Sequence, residues 1–241
     1  MLTAPVLLKI SGEALAGDGD GVLEPIMLRR VAEEVVTGVQ AGQPAAIVVG
    51  GGNIVRGRDI AHLDHPPGRA DDMGMLATLF NAVALRSALQ QAGNDAIVVA
   101  PHALPNVAVA QDRALVHDAL ASGRVVVFGG GTGQPFFTTD TAAALRAAEI
   151  GARCLLKGSQ VDGIYSADPS KDPHAQRYDH LTFAEAIDRR LQVMDMAAFD
   201  LCQRRGVPIR VFDMHAPGAI TAAMGPRPPG TLVDLHPLSE S

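Results

Sequence analysis

Short, unbroken apolar runs recur along the chain at residues 6–10, 45–49, 96–100, 125–128, 154–156 and 209–212. Runs this short and rich in β-branched residues predict parallel strands covered on both faces. Between several of them lie segments with helical spacing of apolar positions. These are 25–41, opened by Pro25 and stopped by Gly42; 72–92, stopped by Gly93; 139–150, stopped by Gly151; and 195–205, stopped by Gly206. Proline at the first helical position and glycine just past the last are the expected boundary signals. Such alternation predicts an α/β fold, a three-layer α/β/α sandwich with a mainly parallel central sheet. Sheets of this kind bind ligands outside the carboxyl ends of their strands.

Composition narrows the picture. With 241 residues, 47% hydrophobic, the chain is long enough for a substantial core and is globular, not disordered. We expect one domain over 1–241, with two lobes, about 1–150 and about 151–235, meeting near residues 150–160. Aromatics are 4% with no Trp, and the formal net charge is -6. Both argue against a nucleic-acid platform, which needs stacking rings and a basic stripe. Cys154 and Cys202 are the two cysteines, far apart in sequence, as in a reducing compartment. No stretch approaches the length of a membrane span, so no membrane partner is expected and a cytoplasmic location is.

Candidate chemistry sits at four strand ends. The first run leads into Lys9, Ile10, Ser11 and Gly12. The second ends in Gly50, Gly51, Gly52 and Asn53, with Arg56 beyond. The fourth run, 125–128, opens into Gly129, Gly130, Gly131 and Gly133, then Thr138, Thr139 and Asp140 at the start of an Ala-rich helix. The fifth leads through Lys157 into a loop with Asp162, Tyr165 and Asp168. Bare glycine turns let main-chain N–H groups approach an anion, and a helix N-terminus favours negative charge. Taken singly, each has an ordinary reading: a strand-end lysine reaching water, a glycine turn with solvated arginines, an Asp-Gly turn. Their convergence on one rim favours phosphate chemistry. Neither G-x-G-x-x-G nor a Walker-type G-x-x-x-x-G-K-[ST] is present, and the eight histidines show no H-E-x-x-H or paired Cys/His spacing; His62-Leu63-Asp64-His65 has metal-binding residue types but reads better as a solvated loop.

Six strings in order, Lys9 to Leu15, Gly50 to Asn53 with Arg56-Gly57, Asp72 to Thr78, Gly131 to Gly133 with Pro135 to Asp140, Val161 to Gly163 and Val193 to Asp195, resemble the bacterial uridylate (UMP) kinases of the amino-acid kinase superfamily. The resemblance runs from about residue 6 to 233. It implies transfer of the γ-phosphoryl group of ATP to UMP, in pyrimidine nucleotide biosynthesis, with Mg²⁺ as cofactor held mainly by the ATP phosphates and Asp140 as the candidate protein ligand. Carried over by motif, Lys9, Ile10, Ser11, Gly12, Gly52, Arg56, Ser159, Tyr165 and Asp168 resemble the ATP site. Gly51, Arg56, Asp71, Thr132, Gly133, Gln134, Pro135, Phe136, Phe137, Thr138 and Thr139 resemble the UMP site. Lys9, Asp140, Lys157 and Asp195 are the expected catalytic group. The family's homohexamer, a trimer of dimers, implies a subunit interface through helix 72–92, whose apolar residues surround much of its circumference.

The chain departs from the family at several places. Residues 16–22 lack the usual aromatic, and Ile97 stands where a regulatory arginine is usual; both argue against activation by GTP. Gln160 and Asp213 also differ from the common residues, which bears on affinity or base preference. On sequence alone, two alternatives stay open: a paralogous enzyme of the amino-acid kinase fold acting on another small phosphate, a carboxylate or a carbamate, and a non-catalytic anion- or nucleotide-binding protein of the same fold.

Overall fold

The computed structural model describes residues 3–17, 21–55, 66, 68–191 and 193–236. Arg56, and Asp18 to Asp20 of the variant segment, lie outside the described residues. The elements in chain order are β1 (Val6–Ile10), α1 (Gly12–Ala16), α2 (Pro25–Gln40), β2 (Ala45–Val49), α3 (Arg69–Gln91), β3 (Ala96–Ala100), β4 (Val109–Ala110), α4 (Arg113–Ala121), β5 (Val125–Phe128), α5 (Thr139–Glu149), β6 (Cys154–Ser159), β7 (Ile164–Tyr165), β8 (Arg177–Tyr178), β9 (His180–Thr182), α6 (Phe183–Asp188), α7 (Met196–Arg205), β10 (Ile209–Asp213), α8 (Ala219–Met224) and β11 (Thr231–Asp234).

Among the described residues the main sheet has the strand order β4-β3-β5-β2-β1-β6-β10-β11-β9. Pairing is parallel from β4 through β10; β11 then runs antiparallel to β10, and β9 parallel to β11. The central strands alternate their side chains between two cores. Val6, Leu8 and Ile10 face α2, α3 and α8 with Val35, Leu85 and Ile220. Leu7 and Leu155 face α4 to α7 with Leu120, Ala143 and Phe199. The sheet is thus covered on both faces, the α/β/α layering expected from the unbroken apolar runs.

The glycine stops act as expected. Gly42, Gly93, Gly151 and Gly206 all have positive φ, between 61° and 93°, which a glycine adopts without Cβ strain. Three elements are longer than the apolar pattern indicated, β10 by the one residue Asp213. α3 begins at Arg69 instead of 72, after Gly68 in the left-handed region, and β6 continues through Lys157 to Ser159. α3 buries one face through Leu79, Ala82, Leu85 and Leu89, while Leu76 and Phe80 remain 63% and 55% exposed. No helix among the described residues is long and apolar enough to cross a membrane.

Candidate active site

β1 and β6 are neighbours, yet the chain leaves β1 toward β2 on one side and leaves β6 toward β10 on the other. That divergence is a topological switch point, where an open α/β sheet leaves a crevice at its carboxyl edge. The register sets Lys9 directly opposite Lys157 across the pair. Each stands two residues beyond a leucine of the α5-side core, Leu7 or Leu155, so both project to the face covered by α5.

Thr138 caps α5, its hydroxyl accepting from Asp140 N at 3.1 Å and Thr141 N at 3.3 Å. Asp140 therefore lies in the first turn, over the two lysines. Its Oδ1 meets Lys9 Nζ at 2.7 Å, and its Oδ2 accepts from Lys157 Nζ at 2.9 Å. Lys157 also donates to the Val193 carbonyl at 2.5 Å. The three side chains are 12–17% exposed. Burial alone would raise the Asp140 pKa, but the Lys9 and Lys157 charges outweigh it and hold the carboxyl below its ordinary value. Burial wins at Lys157, helped by the Lys9 charge, and lowers its pKa despite the attraction of Asp140 and Asp195. The result is two cations bridged by one carboxylate, net positive, at the rim of the sheet.

Three bare turns surround this group. Ser11 accepts from Ala14 N at 3.2 Å and turns the chain from β1 into α1. Gly12 then packs against the second turn so closely that a Cβ there would lie 2.3 Å from Asn53 Oδ1 and 2.8 Å from Gly52 N. A Cβ on Gly51 would lie 2.7 Å from Ala77 Cβ. The third turn has Gly130, Gly131 and Gly133 at positive φ. Between the second and third turns lies a cleft of about 240 Å³, lined by Gly51, Gly52, Asp71, Thr78, Gly131, Phe137, Thr138 and Thr139 among others. Asp71 in α3 accepts from Phe136 N at 3.0 Å, and so ties the start of α3 to the loop before α5. In that loop the Thr132 hydroxyl donates to the Gln134 carbonyl at 3.1 Å, and Pro135 abuts Gly68. Phe136, at φ 72°, and Phe137 are 73% and 53% exposed.

The other residues expected at the site are less convergent in their contacts. Asp195 caps α7, accepting from Ala198 N at 2.9 Å, and also accepts from the hydroxyls of Thr138 and Thr141. Its carboxylate fastens α7 to the head of α5. Ser159, at the end of β6, accepts from Val161 N at 3.3 Å. Tyr165 donates to Asp162 at 2.6 Å, and Asp168 holds Ser170 and Lys171, so the contacts of both stay within their own loop. A larger hollow, about 860 Å³, lies at the amino ends of the strands near Gly42, Gln43, Arg153 and Gly225. Its Gln43 and Arg153 bond each other and main-chain carbonyls.

Three buried polar side chains, which the pattern of strand ends does not reveal, also shape the site. Thr78 and Asn81 are 5% and 0% exposed on α3. Arg146, 4% exposed, pairs with Glu149 at 2.8 Å, reaches the Gly131 carbonyl at 3.4 Å and stacks over Phe128 at 5.6 Å. A polar residue inside a strongly helical, Ala-rich segment gives no periodic signal. Its one clue is that it falls on a face otherwise apolar.

A sequence profile of the amino acid kinase family matches residues 4–213. The chain is 46% identical to the uridylate kinase of Bradyrhizobium sp. (strain ORS 278) over 228 residues, which is 95% of this chain and 96% of that protein. It is likewise 46% identical to the uridylate kinase of Pseudomonas fluorescens over 229 residues, 95% and 93% of the two chains. Among solved structures, the UMP kinase of Ureaplasma parvum superposes with a TM-score of 0.92 at 35% identity, covering 97% of this chain and all 100% of that one. The uridylate kinase of Archaeoglobus fulgidus gives 0.74 at 28% identity over 95% and 99%. With similarity of this extent in both sequence and fold, the chain belongs to the amino acid kinase family, among its uridylate kinases.

Proposed function

We propose that this protein transfers the γ-phosphoryl group of ATP to UMP, giving ADP and UDP, as a step of pyrimidine nucleotide biosynthesis. The observation that carries the reading is the Lys9–Asp140–Lys157 group at the switch point, between bare glycine turns. A phosphate oxygen of UMP attacks the γ-phosphorus, the bond to the β,γ-bridging oxygen breaks, and its electron pair leaves with ADP. The acceptor is already ionised near neutral pH, so no general base is required. What the reaction needs is in-line alignment and compensation of charge on the transferring group.

In this reading Lys9 and Lys157 face the transferring phosphoryl, and Asp140 holds the two ammonium groups apart from each other and in register. Lys9, Ile10, Ser11, Gly12 and Gly52 border the donor phosphates, with Ser159, Tyr165 and Asp168 toward the ATP base and sugar. Gly51, Asp71 and residues 132–139 border UMP, and Arg56 serves both nucleotides. Asp195 acts by positioning Thr138 and α5, since its carboxylate is taken up by protein donors. Mg²⁺ supplies further charge neutralisation on the phosphates when bound. Among the described residues no group of three or more His, Cys, Asp or Glu could hold a metal. That donor set suits an ion carried largely by the triphosphate, with Asp140 as its protein ligand.

The lobes about 1–150 and 151–235 then bring acceptor and donor, respectively. The exposed Leu76 and Phe80 of α3 suit the subunit interface of a homohexamer, and the enzyme is cytoplasmic. Sedimentation as a monomer at micromolar concentration would remove the hexamer. The activity is tested by ADP release with ATP, Mg²⁺ and UMP, CMP, dUMP, acetylglutamate or carbamate as acceptor. Turnover is expected with UMP; turnover with a carboxylate alone, or none, overturns the proposal.

A further inference from the structure

The two glycine turns that border the acceptor cleft belong to different strands, β2 and β5, and neither is held by its own hydrogen bonds alone. Both are gripped by α3. The Thr78 hydroxyl accepts from Gly130 N at 2.7 Å while donating to the Met75 carbonyl at 2.8 Å. One turn further along the same buried face, Asn81 Nδ2 donates to the Gly50 carbonyl at 2.7 Å and to Asn53 Oδ1 at 2.7 Å. Asn53 Nδ2 returns the bond to Asn81 Oδ1 at 3.2 Å and also holds the Val22 carbonyl at 2.6 Å. The amide pair is thus reciprocal, and Gly12 of the first turn rests against its Asn53 half.

We infer that Thr78 and Asn81 are positioning residues that set the spacing of the two glycine turns, Thr78 on the acceptor side and Asn81 on the donor side. Residues three apart on a helix share a face, so the helix itself acts as a ruler between the turns. A buried amide or hydroxyl left without its partner is costly, so the satisfied arrangement is strongly preferred over shifted turns. The same helix carries Asp71, so acceptor contacts and turn spacing move as one body. Each acts through atoms of a turn, Thr78 through the Gly130 N–H and Asn81 through the Gly50 carbonyl and the Asn53 amide.

The inference rests on the UMP kinase reading, and the experiment separates the two. KM for each nucleotide and kcat are measured for the intact wild type, Thr78→Val, Thr78→Ser and Asn81→Leu, with melting followed in parallel. Val and Leu keep the number and branching of side-chain heavy atoms and lose the hydrogen bonds. Thr78→Val is expected to raise KM for UMP about tenfold, the loss of one buried hydrogen bond, with KM for ATP within about twofold. Thr78→Ser restores it. Asn81→Leu is expected to raise KM for ATP about tenfold and to lower kcat, with the smaller change on UMP. Wild-type protein without UMP kinase activity sinks the functional reading. An active wild type whose variants keep both KM values, raise both equally, or fail to fold sinks the ruler alone, because the side chains then serve the fold as a whole.

Discussion

Replacing Asp140 by Asn removes the one negative charge that faces both Lys9 and Lys157 while keeping the side chain's shape. Each contact, at 2.7 and 2.9 Å, is closer than the ~4 Å at which unit charges attract by ~4 kcal/mol at an effective dielectric of ~20. Relief of the carboxylate's desolvation offsets part of this, and the 12–17% exposure of the three side chains screens more. What remains is two ammonium groups facing one another across an amide. Lys157, whose pKa burial already holds below its ordinary value, also loses the attraction of that carboxylate, so its pKa falls further. The expected kinetic loss is about 10²–10³-fold in kcat, as for removal of one preorganised electrostatic contact to a transition state. KM for ATP should stay level or fall, because the pocket gains one unit of positive charge toward a polyanion. The alkaline limb of the pH–rate profile should also move to lower pH. A coupled ADP-release assay across pH 6–10 reads all three. A kcat within about threefold of wild type, or a KM for ATP that rises in step with the loss of kcat, refutes the argument.

Linkage to pH follows from the same group. Asp140 has a folded pKa below its ordinary 3.8, so it contributes stability above that value and loses it as pH falls through the folded pKa. The melting difference between wild type and Asp140→Asn should therefore narrow as pH drops below about 4. Lys157 has the opposite sense: its folded pKa lies below 10.5, the unfolded chain binds more protons between the two values, and stability rises with pH across that window. Removing it with Lys157→Met should flatten that rise in thermal melts taken as pH climbs toward 10.5. Asp195→Ala removes the α7 cap and strands the buried Thr141 hydroxyl, for an expected loss of about 2–4 kcal/mol. A melting temperature lower by roughly 10 °C checks it, and an unchanged one rejects the fastening role of Asp195.

The parts of the fold that were legible in the sequence are those where burial and backbone geometry leave one choice. Strands β1, β2, β3 and β5 are covered on both faces, so their apolar runs end where the strands end. Helix ends at Gly42, Gly93, Gly151 and Gly206 follow from positive φ. The pattern falls short at β6, because an apolar run ends at Leu156 while a ladder does not depend on side-chain polarity. Lys157 remains paired with Lys9 and Val211 through the main chain, so the strand carries its lysine within the sheet instead of beyond it. The two-residue strands β4, β7 and β8 and the five-residue α1 have too few positions for any period to register.

The candidate site divides along the same line. Glycines, lysines and Asp140 stand at the ends of apolar runs, where a charge or a bare turn is conspicuous, and these are legible from sequence. Thr78, Asn81, Thr141 and Arg146 stand inside helices, on faces a hydrophobic pattern scores as core, and each makes a hydrogen bond to a turn or cap from a distant part of the chain. Their partners are 52, 31, 54 and 15 residues away, separations that no local spacing rule reaches. A buried polar residue costs stability unless its partner is fixed, so tertiary structure must supply the partner. That is why the charged groups and bare turns at the strand ends could be read from the sequence, while the helix side chains that bond to those turns emerge only when the helices are laid over the sheet.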